Sequence, residues 1–313
     1  MNKQKIKISV LIPTYQRPLK LQKCLEHLTV QTRAADEIIV VVRPEDISSI
    51  EVIEKFQKLH VQIKQVFSYE TGVIAAENAG IKEIKNDLVA FIDDDGYAPT
   101  SWLSDIELFF ISHPNASALG GSDIIMSDPA SYHNFLVEEV GLVTWYGKVI
   151  GNHHRKSQGP VRRAKVLKGV NMIIRRDRLP FLDERLAGRD GTLGNGSQWE
   201  LDICLNIENT FGEIYFMPNL IVNHDSDHST HNLIIASRNN THNLAYVMFK
   251  HLSPVKKYFF LFYALIIGNT QLPGIIKALS DIFKNPSKET FQIVLAKMIG
   301  FYQGIKTYLR RSK

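Results

Sequence analysis

The sequence contains few cysteines and no long apolar run, and these two absences exclude several classes of protein. Two cysteines, Cys24 and Cys204, are too few for a disulfide framework or a Cys-rich zinc site. Both lie among apolar residues in helix-like segments, which predicts buried free thiols in a reducing compartment. The longest apolar run, residues 258–267, is shorter than the ~20 residues that a membrane-spanning helix needs. The N-terminal residues enter a strand-like run without a signal-peptide pattern, so we expect a cytoplasmic protein.

Charge is distributed unevenly along a chain whose composition is otherwise that of an ordinary folded protein. Of the 313 residues, 44% are hydrophobic and 22% are charged, which favours one large α/β domain, alone or with an appendage. Residues 250–313 contain eleven of the 37 Lys and Arg but only two of the 32 acidic residues. The rest of the chain therefore contains 26 basic and 30 acidic residues. This asymmetry indicates that the C-terminal end meets a polyanionic surface, or that it forms a solvated pair of basic helices.

The first half of the sequence alternates short apolar, β-branched runs with segments of helical periodicity. Near-continuous apolar strands separated by amphipathic helices are typical of a parallel sheet covered by helices on both faces. Ligands of such sheets bind at the carboxyl ends of the strands, so we expect functional residues at 14–17, 43–46 and 93–95. The predicted strands are residues 7–13, 37–42, 61–67 and 88–92, with helices near residues 18–28, 50–56 and 72–84.

The second half is less regular and contains a strongly basic segment. Residues 151–168 include six Lys and Arg and no acidic residue, and a Gly-Pro step predicts that the segment begins as a mobile loop. Residues 155–168 either hold an anionic group of a ligand, close over a ligand, or form a disordered surface loop. The other expected elements are a strand at 170–174, a Gly-rich stretch at 188–196, a helix at 200–208 and a strand at 213–217.

Three consecutive acids, Asp93, Asp94 and Asp95, directly follow the predicted strand LVAFI. Adjacent carboxylates repel one another unless a cation or protonation relieves their charge. Mg²⁺ and Mn²⁺ prefer oxygen ligands of this kind, and the position behind a buried strand favours a metal site. The alternative is a solvated acidic turn before a helix that starts near Ser101.

Several motifs occur in a fixed order along the chain. They are ISVLIPTYQRP, EIIVVV, the G-x-x-x-A-x-N-x-G pattern of residues 72–80, LVAFIDDDGYAPTSWL, GVNMIIRR, WELDICLNI and the Val-Asn-His of residues 222–224. Together they resemble the family 2 glycosyltransferases of the GT-A fold, over roughly residues 6–245. The resemblance implies an α/β protein with a mostly parallel, Rossmann-like central sheet flanked by helices.

The resemblance also implies a division of the chain. A glycosyltransferase domain is expected at residues 1–245, with a nucleotide-sugar-binding half at 1–125 and an acceptor-binding and catalytic half at 126–245. A basic, amphipathic helical C-terminal extension is expected at residues 246–313.

A binding site for a nucleoside-diphosphate sugar, with Mg²⁺ or Mn²⁺ as cofactor, follows from the same resemblance. Asp93 and Asp95 occupy the ends of a D-x-D motif, whose last Asp binds the metal that bridges the diphosphate. His224 matches a position that completes the metal or diphosphate contact, or it is a histidine at a strand end. The expected metal ligands are Asp95 and His224, and the expected nucleotide-sugar-binding residues are Pro13, Thr14, Tyr15, Arg17, Arg43, Asp46, Gly72, Asn78, Asp93 and Asp94.

The resemblance places the catalytic base at the start of the helix predicted at residues 200–208. Aligning the tetrapeptide DICL with the family's D-L-C-L puts Glu200 at the position that takes the proton of the acceptor hydroxyl. Trp199 stands where another acid often occurs, and we expect it to bind the acceptor together with Asp202. A carboxylate near the positive end of a helix is electrostatically favoured, and burial tunes its pKa. The alternative for Glu200 and Asp202 is capping of the first helical turn.

Two segments depart from the family's pattern. After the second strand the family often continues Asp-Asp-Gly-Ser, with an Asp that reads the nucleobase, whereas this chain has Val-Arg-Pro-Glu-Asp. We expect that either Asp46 or Glu45 replaces that Asp, or that Arg43 contacts a phosphate instead. The family also frequently has Arg before the Asn of the helix motif, where this chain has Glu77. These changes leave the identity of the nucleotide open.

Apolar segments flanked by cations in the C-terminal region suit helices that lie in an anionic membrane interface. Lys256 and Lys257 precede the apolar run 258–267, and apolar residues near Met298 alternate with Lys297 and Lys306. The alternative is a helical pair that packs on the domain or forms a homo-oligomer interface.

These features together predict an inverting, metal-assisted glycosyltransferase of polysaccharide or cell-envelope biosynthesis. It would transfer a sugar from a nucleoside-diphosphate sugar to a hydroxyl of a glycan or lipid-linked acceptor, at the inner face of the cell membrane. We expect no nucleic-acid partner, because no recognised motif accompanies the basic tail. The alternatives are a catalytically inactive partner of a membrane glycan-assembly complex and a nucleotidyltransferase, although the chain has no Gly-rich, Lys-bearing phosphate loop.

Overall fold

The structure is a computed structural model of the 313-residue chain, and it describes residues 5–59, 62–186, 197–226 and 232–311. The Gly-rich stretch expected at 188–196 lies outside the described residues. In the described ranges, no helix combines the length and the apolar character that crossing a membrane requires.

The strands are β1 (Ile8–Pro13), β2 (Glu37–Val42), β3 (Ile63–Phe67), β4 (Leu88–Phe91), β5 (Gly96–Tyr97), β6 (Ala118–Ile125), β7 (Leu142–Val143), β8 (Val149–Ile150), β9 (Arg162–Arg163), β10 (Met172–Arg175) and β11 (Ile214–His224). The helices are α1 (Pro18–Thr29), α2 (Ile47–Lys58), α3 (Val73–Ile81), α4 (Trp102–Ser112), α5 (Pro129–His133), α6 (Trp199–Thr210), α7 (Leu233–His251), α8 (Pro254–Phe262), α9 (Ile275–Lys284) and α10 (Lys288–Arg310).

Nine strands of the described chain form a central sheet in the order β3-β2-β1-β4-β10-β6-β11-β5, with β9 paired to β11. Strand β1 pairs in parallel with β2 and β4, β2 pairs in parallel with β3, and β6 with β11. Strand β10 runs antiparallel between β4 and β6, which makes β6 parallel to β4. The predicted mostly parallel sheet is confirmed. The carboxyl ends of β1, β4, β6 and β11 therefore lie along the same edge of the sheet.

Apolar side chains on both faces of the sheet pack under helices. Successive residues of a strand point to opposite faces. Val10 of β1 belongs to an apolar core that includes residues of α1, α2 and α4, whereas Leu11 belongs to a core that includes residues of α3, α6 and α7. Cys24 belongs to the first of these cores and Cys204 to the second, and both are free and buried, as predicted. Helices thus flank the sheet on both faces, in agreement with the predicted fold class.

The C-terminal helices are present as predicted, and α10 packs closely along α7. Gly300 and Gly304 allow the two backbones to touch, because a Cβ on Gly304 would lie 2.3 Å from the carbonyl oxygen of His242. The same His242 places Nε2 2.9 Å from Oγ1 of Thr307. Residue 245, the expected end of the first domain, lies inside α7. The helices after residue 245 therefore share a buried interface with the helix that crosses this boundary.

Three parts of the chain differ from the sequence-based expectation. Strand β6 lies in the middle of the sheet, although the sequence pattern predicts no strand there. Strand β11 continues to His224 instead of ending at residue 217. Residues 151–168, expected to begin as a mobile loop, are tied into the fold, because β9 pairs with β11 and the guanidinium of Arg162 donates to the carbonyl oxygen of Glu138.

Candidate active site

Side chains from several strand ends and one helix start lie together at the carboxyl edge of the sheet. Thr14 follows β1, residues 93–95 follow β4, Asp123 lies near the end of β6, and His224 ends β11. Glu200 lies in the first turn of α6, close enough to Asp93 for the two carboxyl groups to interact. These residues form the carboxyl-edge cluster. The parallel topology of the sheet brings them together from distant parts of the sequence.

Asp93, Asp95 and His224 form a group that suits a divalent cation. One potential ligand atom from each residue lies within 4.8 Å of the other two, and His224 Nε2 is 3.3 Å from Asp95 Oδ1. Burial, and after it the neighbouring Asp95 carboxylate, raises the pKa of Asp93, so the group favours a partner with positive charge. Two carboxylates and an imidazole are donors that Mn²⁺ or Mg²⁺ can accept. The residues fit the expected cofactor, and the structure adds Asp93 to the two expected ligands.

Asp123 is a site residue that the sequence analysis misses. Its Oδ2 atom lies 3.3 Å from His224 Nδ1 and 2.5 Å from Lys168 Nζ, and the residue is fully buried. Burial alone would raise the pKa of Asp123, but the hydrogen bonds from His224 and Lys168 lower it well below its usual range. A carboxylate on the second nitrogen of a metal-binding histidine fixes the orientation of the imidazole. Asp123 is placed to do this for His224.

The same contacts control the charge of His224. Burial alone would lower the pKa of this imidazole, but its hydrogen bonds to Asp123 and Asp95 raise the pKa to about 9. A histidine binds a metal only as the neutral ring, so metal binding at neutral pH would release a proton from His224.

Arg17 and Lys20 place positive charge beside the acidic triplet. Arg17 Nη1 lies 3.2 Å from Asp94 Oδ1 and 3.1 Å from Asp95 Oδ2, and Lys20 Nζ lies 3.9 Å from Asp95 Oδ2. The hydroxyl of Thr14 donates to Asp94 Oδ2 at 2.8 Å. Burial raises the pKa of Asp94 to about 7 even though the adjacent Arg17 lowers it. The Arg17 side chain is 43% exposed, so an anionic ligand can reach it.

Glu200 and Trp199 begin α6 with different environments. Burial raises the pKa of Glu200 to about 7; backbone hydrogen bonds, one of them from Gly169, oppose this shift, and the Asp93 carboxylate adds to it. Trp199, expected to bind an acceptor, is only 6% exposed and packs against Phe91 with ring centroids 5.7 Å apart. A carboxyl group with a pKa near 7 can take up and release a proton at neutral pH. Trp199 instead anchors the start of α6 in the core.

Tyr15 and Arg43 lie together at the carboxyl ends of β1 and β2. The guanidinium carbon of Arg43 is 5.6 Å from the centroid of the Tyr15 ring, and Arg43 Nε is 2.6 Å from Glu45 Oε1. Asp46 is buried, caps α2, and accepts a hydrogen bond from the backbone N–H of Gln16 at 2.6 Å. Asp46 therefore holds two backbone segments together, whereas Tyr15 and Arg43 offer an aromatic ring and a cation to a ligand.

Pro13, Gly72 and Asn78 were expected to bind the nucleotide sugar. Pro13 ends β1 directly before Thr14. Gly72 precedes α3 with a φ of 107°, and the space where a Cβ would lie is open. Both polar atoms of the Asn78 side chain are used by Leu182, whose carbonyl accepts at 3.0 Å and whose N–H donates at 2.8 Å. Asn78 thus holds the chain before α6 against α3.

Asp202, expected on the acceptor side, lies among residues of α7. Its carboxylate oxygens are 2.8 Å from Lys250 Nζ and 2.7 Å from His251 Nε2. Residues two apart on a helix point in nearly opposite directions, so Asp202 turns away from the side that Glu200 occupies. The structure does not bring Asp202 to the carboxyl-edge cluster; its ion pairs join α6 to α7.

The basic segment 155–168 contributes one side chain to the carboxyl-edge cluster and several to the surrounding fold. Lys168 bonds Asp123, as described above. Arg162 donates to the backbone oxygen of Glu138, and Arg163 lies 3.5 Å from Glu208 on α6. The structure thus favours Lys168 as the cation of this segment that acts near the metal-binding group.

Proteins of similar sequence are glycosyltransferases. The chain is 26% identical over 114 residues to the glycosyltransferase GlyA of Streptococcus pneumoniae, a match that covers 36% of this chain and 16% of GlyA. It is 24% identical over 227 residues to a glucosyl-dolichyl phosphate glucuronosyltransferase of Haloferax volcanii, a match that covers 70% of this chain and 69% of that protein. The chain therefore spans only a small part of the length of GlyA.

A solved structure and a family model complete the comparison. The mannosyltransferase PcManGT from Pyrobaculum calidifontis, in complex with GDP-Man and Mn²⁺, superposes with a TM-score of 0.57 at 12% identity, covering 99% of this chain and 89% of that one. This likeness concerns the fold and confirms the predicted GT-A architecture. The model of glycosyl transferase family 2 matches residues 9–177, which is more than half of the chain. This protein is therefore a member of glycosyl transferase family 2.

Proposed function

We propose that this chain transfers a sugar from a nucleoside-diphosphate sugar to a hydroxyl group of a glycan or lipid-linked acceptor, with inversion at the anomeric carbon. The observation that carries the proposal is the proximity of Glu200 to the metal-binding group of Asp93, Asp95 and His224. A single displacement needs a site that stabilises the departing diphosphate and a base that activates the attacking hydroxyl. Membership of the family supports the reaction class.

The donor side of the site is cationic and aromatic. Tyr15 and Arg43 offer a ring and a guanidinium to the nucleotide, and Arg17 offers a half-exposed guanidinium to the diphosphate. Asp93, Asp95 and His224 would hold Mg²⁺ or Mn²⁺, which neutralises negative charge on a departing diphosphate. The mannosyltransferase PcManGT, which has a similar fold and was solved in complex with GDP-Man and Mn²⁺, supports this type of donor.

The acceptor side depends on Glu200. In its carboxylate form Glu200 accepts the proton of the acceptor hydroxyl as that oxygen bonds to the anomeric carbon. The backbone N–H of Gly169 holds the carboxylate, and the packing of Trp199 on Phe91 fixes the helix start that carries it. These contacts orient the base without blocking it, because Glu200 itself is partly exposed.

The C-terminal helices support peripheral contact with an anionic membrane at its inner face. Phe283 of α9 is 84% exposed, and Lys277 and Lys284 of the same helix lie near its apolar side chains. Such helices partition into a membrane interface through apolar side chains, while cations attract anionic lipids. The relative that is named for glucosyl-dolichyl phosphate supports a lipid-linked acceptor. The exposed apolar residues of these C-terminal helices, called here the C-terminal apolar surface, are Val255, Tyr258, Phe259, Phe262, Leu265, Ile266, Ile267, Ile275, Ile276, Leu279, Phe283, Phe291, Leu295, Met298, Ile299, Tyr302 and Leu309.

Calorimetric binding of UDP-, GDP- and dTDP-sugars, each with Mn²⁺ and with EDTA, tests the proposed function. We expect one nucleotide class to bind with Mn²⁺ and to lose about tenfold or more in affinity with EDTA, because the diphosphate is held through the metal. Asp95→Asn should abolish the difference between Mn²⁺ and EDTA. Lack of binding by all three classes would contradict the proposal and favour the inactive partner of a glycan-assembly complex.

A further inference from the structure

Glu77 of α3 is a buried acid with a carboxyl oxygen that no described residue satisfies. Its side chain is 1% exposed, and Oε2 has no hydrogen-bond partner in the described part of the chain. The next residue, Asn78, has both polar atoms satisfied by Leu182. A buried polar atom without a partner destabilises the fold unless a ligand satisfies it. The position of Glu77 therefore points to a bound molecule and not to a structural contact.

The neighbours of Glu77 define where that molecule would lie. The charged groups that act on Glu77 are the carboxyl groups of Asp93, at the end of β4, and of Glu200, at the start of α6. Neither can donate a hydrogen bond as a carboxylate, so neither satisfies the unpartnered oxygen, and Glu77 lies in a region whose neighbouring charged groups are acids. A diphosphate would be repelled from such a region, whereas a neutral group with O–H donors would be favoured.

The geometry of a single displacement identifies the neutral group. The anomeric carbon must lie between the metal-bound diphosphate, on the side of Asp93, and the hydroxyl activated by Glu200. Glu77 is buried and close enough to both Asp93 and Glu200 to interact with their charges, which places it near the position of the transferred sugar. The nucleotide would lie farther away, near Tyr15 and Arg43 at the ends of β1 and β2.

We propose that Glu77 determines donor specificity by accepting a hydrogen bond from a hydroxyl group of the transferred sugar. This inference rests on the proposed function, because it requires a nucleoside-diphosphate sugar in the site. A site built around a hydroxyl rejects sugars that lack it or present it in the other configuration, since Oε2 then stays unpartnered.

The test compares epimeric donors in the wild-type chain and in Glu77→Ala and Glu77→Gln. Affinities are measured by calorimetry with Mn²⁺ for the free nucleoside diphosphate that binds (UDP, GDP or dTDP) and for its glucose, galactose, mannose and N-acetylhexosamine esters. We expect Glu77→Ala to keep the affinity for the free diphosphate within about twofold. The variant should lower the affinity for the preferred sugar ester about tenfold, and it should lower the ratio of that affinity to the affinity for the epimer by the same factor. Glu77→Gln retains the volume and one acceptor oxygen, so its effect should be smaller but in the same direction.

A matched control is Glu83→Gln, because Glu83 lies just beyond α3 and pairs with Lys64 at the surface. This control should keep the wild-type preference. The inference is wrong if both Glu77 variants also keep the wild-type preference between epimeric donors. It is also wrong if they lower the affinity for the free nucleoside diphosphate as much as the affinity for the sugar ester. If the wild-type chain binds no sugar ester at all, the proposed function fails and the inference fails with it, so the two failures are distinguished by the wild-type titration.

Discussion

The carboxyl-edge cluster and the C-terminal apolar surface use charged and apolar side chains in opposite ways. In the cluster, Lys168 and Arg17 contact buried carboxylates at 2.5 Å and 3.2 Å. On the C-terminal surface, Ile276 and Phe283 are 58% and 84% exposed and cations lie beside them. The cluster is organised by contacts within the protein, whereas the C-terminal surface presents groups that other molecules could cover. The first arrangement is suited to a small, highly charged ligand and the second to an extended surface.

The two regions also differ in how they are attached. The cluster residues sit on strands whose register fixes their positions, such as the pairing of His224 with Ile125 at the end of β6. The C-terminal surface belongs to helices that are held by packing of apolar side chains, since α10 packs along α7 and α8 buries Phe260 in the core. Lys297, expected among the cations of the membrane-facing segment, is buried on α10. Substitutions in the cluster should therefore act on chemistry, and those on the exposed side of the C-terminal helices on localisation.

Glu200→Gln should produce the largest effect, a loss of about a thousandfold in turnover. The amide keeps the shape of the side chain but cannot accept a proton, so donor affinity should stay within about twofold of wild type. Release of nucleoside diphosphate from the bound donor gives the turnover, and calorimetry gives the affinity. Glu208→Gln is the control, because Glu208 lies on the same helix and pairs with Arg163. Wild-type turnover in Glu200→Gln would show that another group is the base.

Asp123→Asn should weaken Mn²⁺ binding about 10- to 100-fold. The neutral amide loses the charge that orients His224 and pairs with Lys168, while the volume of the side chain is unchanged. Titration of Mn²⁺ by calorimetry or electron paramagnetic resonance measures the effect. Asp105→Asn on α4, whose carboxylate accepts from Ser101, is the control. Equal Mn²⁺ affinity in both variants would exclude a role for Asp123 in holding the metal-binding histidine.

The sequence points to the acidic triplet as part of a candidate site but does not point to Asp123, and the reason is the local signal. LVAFI is a short apolar run, and acids directly behind such a strand favour a metal site without any tertiary information. Strand β6 contains Gly120 and Gly121, and glycine weakens the pattern of a strand. Both are required by close packing, because a Cβ on Gly121 would lie 1.8 Å from the carbonyl oxygen of Leu220. The glycines that let β6 fit therefore conceal the strand that carries Asp123.

Asp202 illustrates a second limit of sequence reasoning. An acid in the first turn of a helix has the same pattern whether it faces a substrate or another helix. Its partners, Lys250 and His251, come from a segment about fifty positions later, and only the packing of α7 on α6 reveals them. The same limit applies to Asp46, whose contact with the backbone of Gln16 cannot be read from the sequence, while its expected contact with a nucleobase stays a prediction. Tertiary pairing decides the role of each acid.

The dependence of kcat/KM on pH should be an effect of intermediate size, with a fall of about tenfold for each pH unit below neutrality. The pKa of Glu200 is raised to about 7, and the base acts only as the carboxylate. The value of kcat/KM should therefore fall as the pH decreases from 7 to 5 and should become constant above pH 8. Glu208→Gln should keep this profile, and the residual activity of Glu200→Gln should lack the rise near pH 7. A rise that persists in Glu200→Gln would assign the titrating group elsewhere.

The smallest expected effect concerns the C-terminal apolar surface, and it tests whether a membrane covers that surface. Removal of the whole C-terminal region would uncover the face of α7 on which α10 packs, so single substitutions are the better experiment. Phe283→Ser should reduce co-sedimentation with vesicles of phosphatidylcholine and phosphatidylglycerol by about three- to tenfold, since one large apolar side chain no longer enters the interface. Binding should also weaken with salt and with vesicles of phosphatidylcholine alone, because the cations then lose their anionic partners.

Leu19→Ser on α1 is the matched control for this experiment, because Leu19 is 82% exposed and lies outside the C-terminal surface. It should co-sediment as the wild-type chain does. Equal binding of the Phe283 and Leu19 variants would contradict membrane contact through α9. If Phe283→Ser instead lowers the mass of the protein in sedimentation equilibrium, a second copy of the chain covers the surface, and the basic tail then serves assembly. The two outcomes separate because a membrane contact depends on anionic lipid, whereas contact between two copies depends on protein concentration.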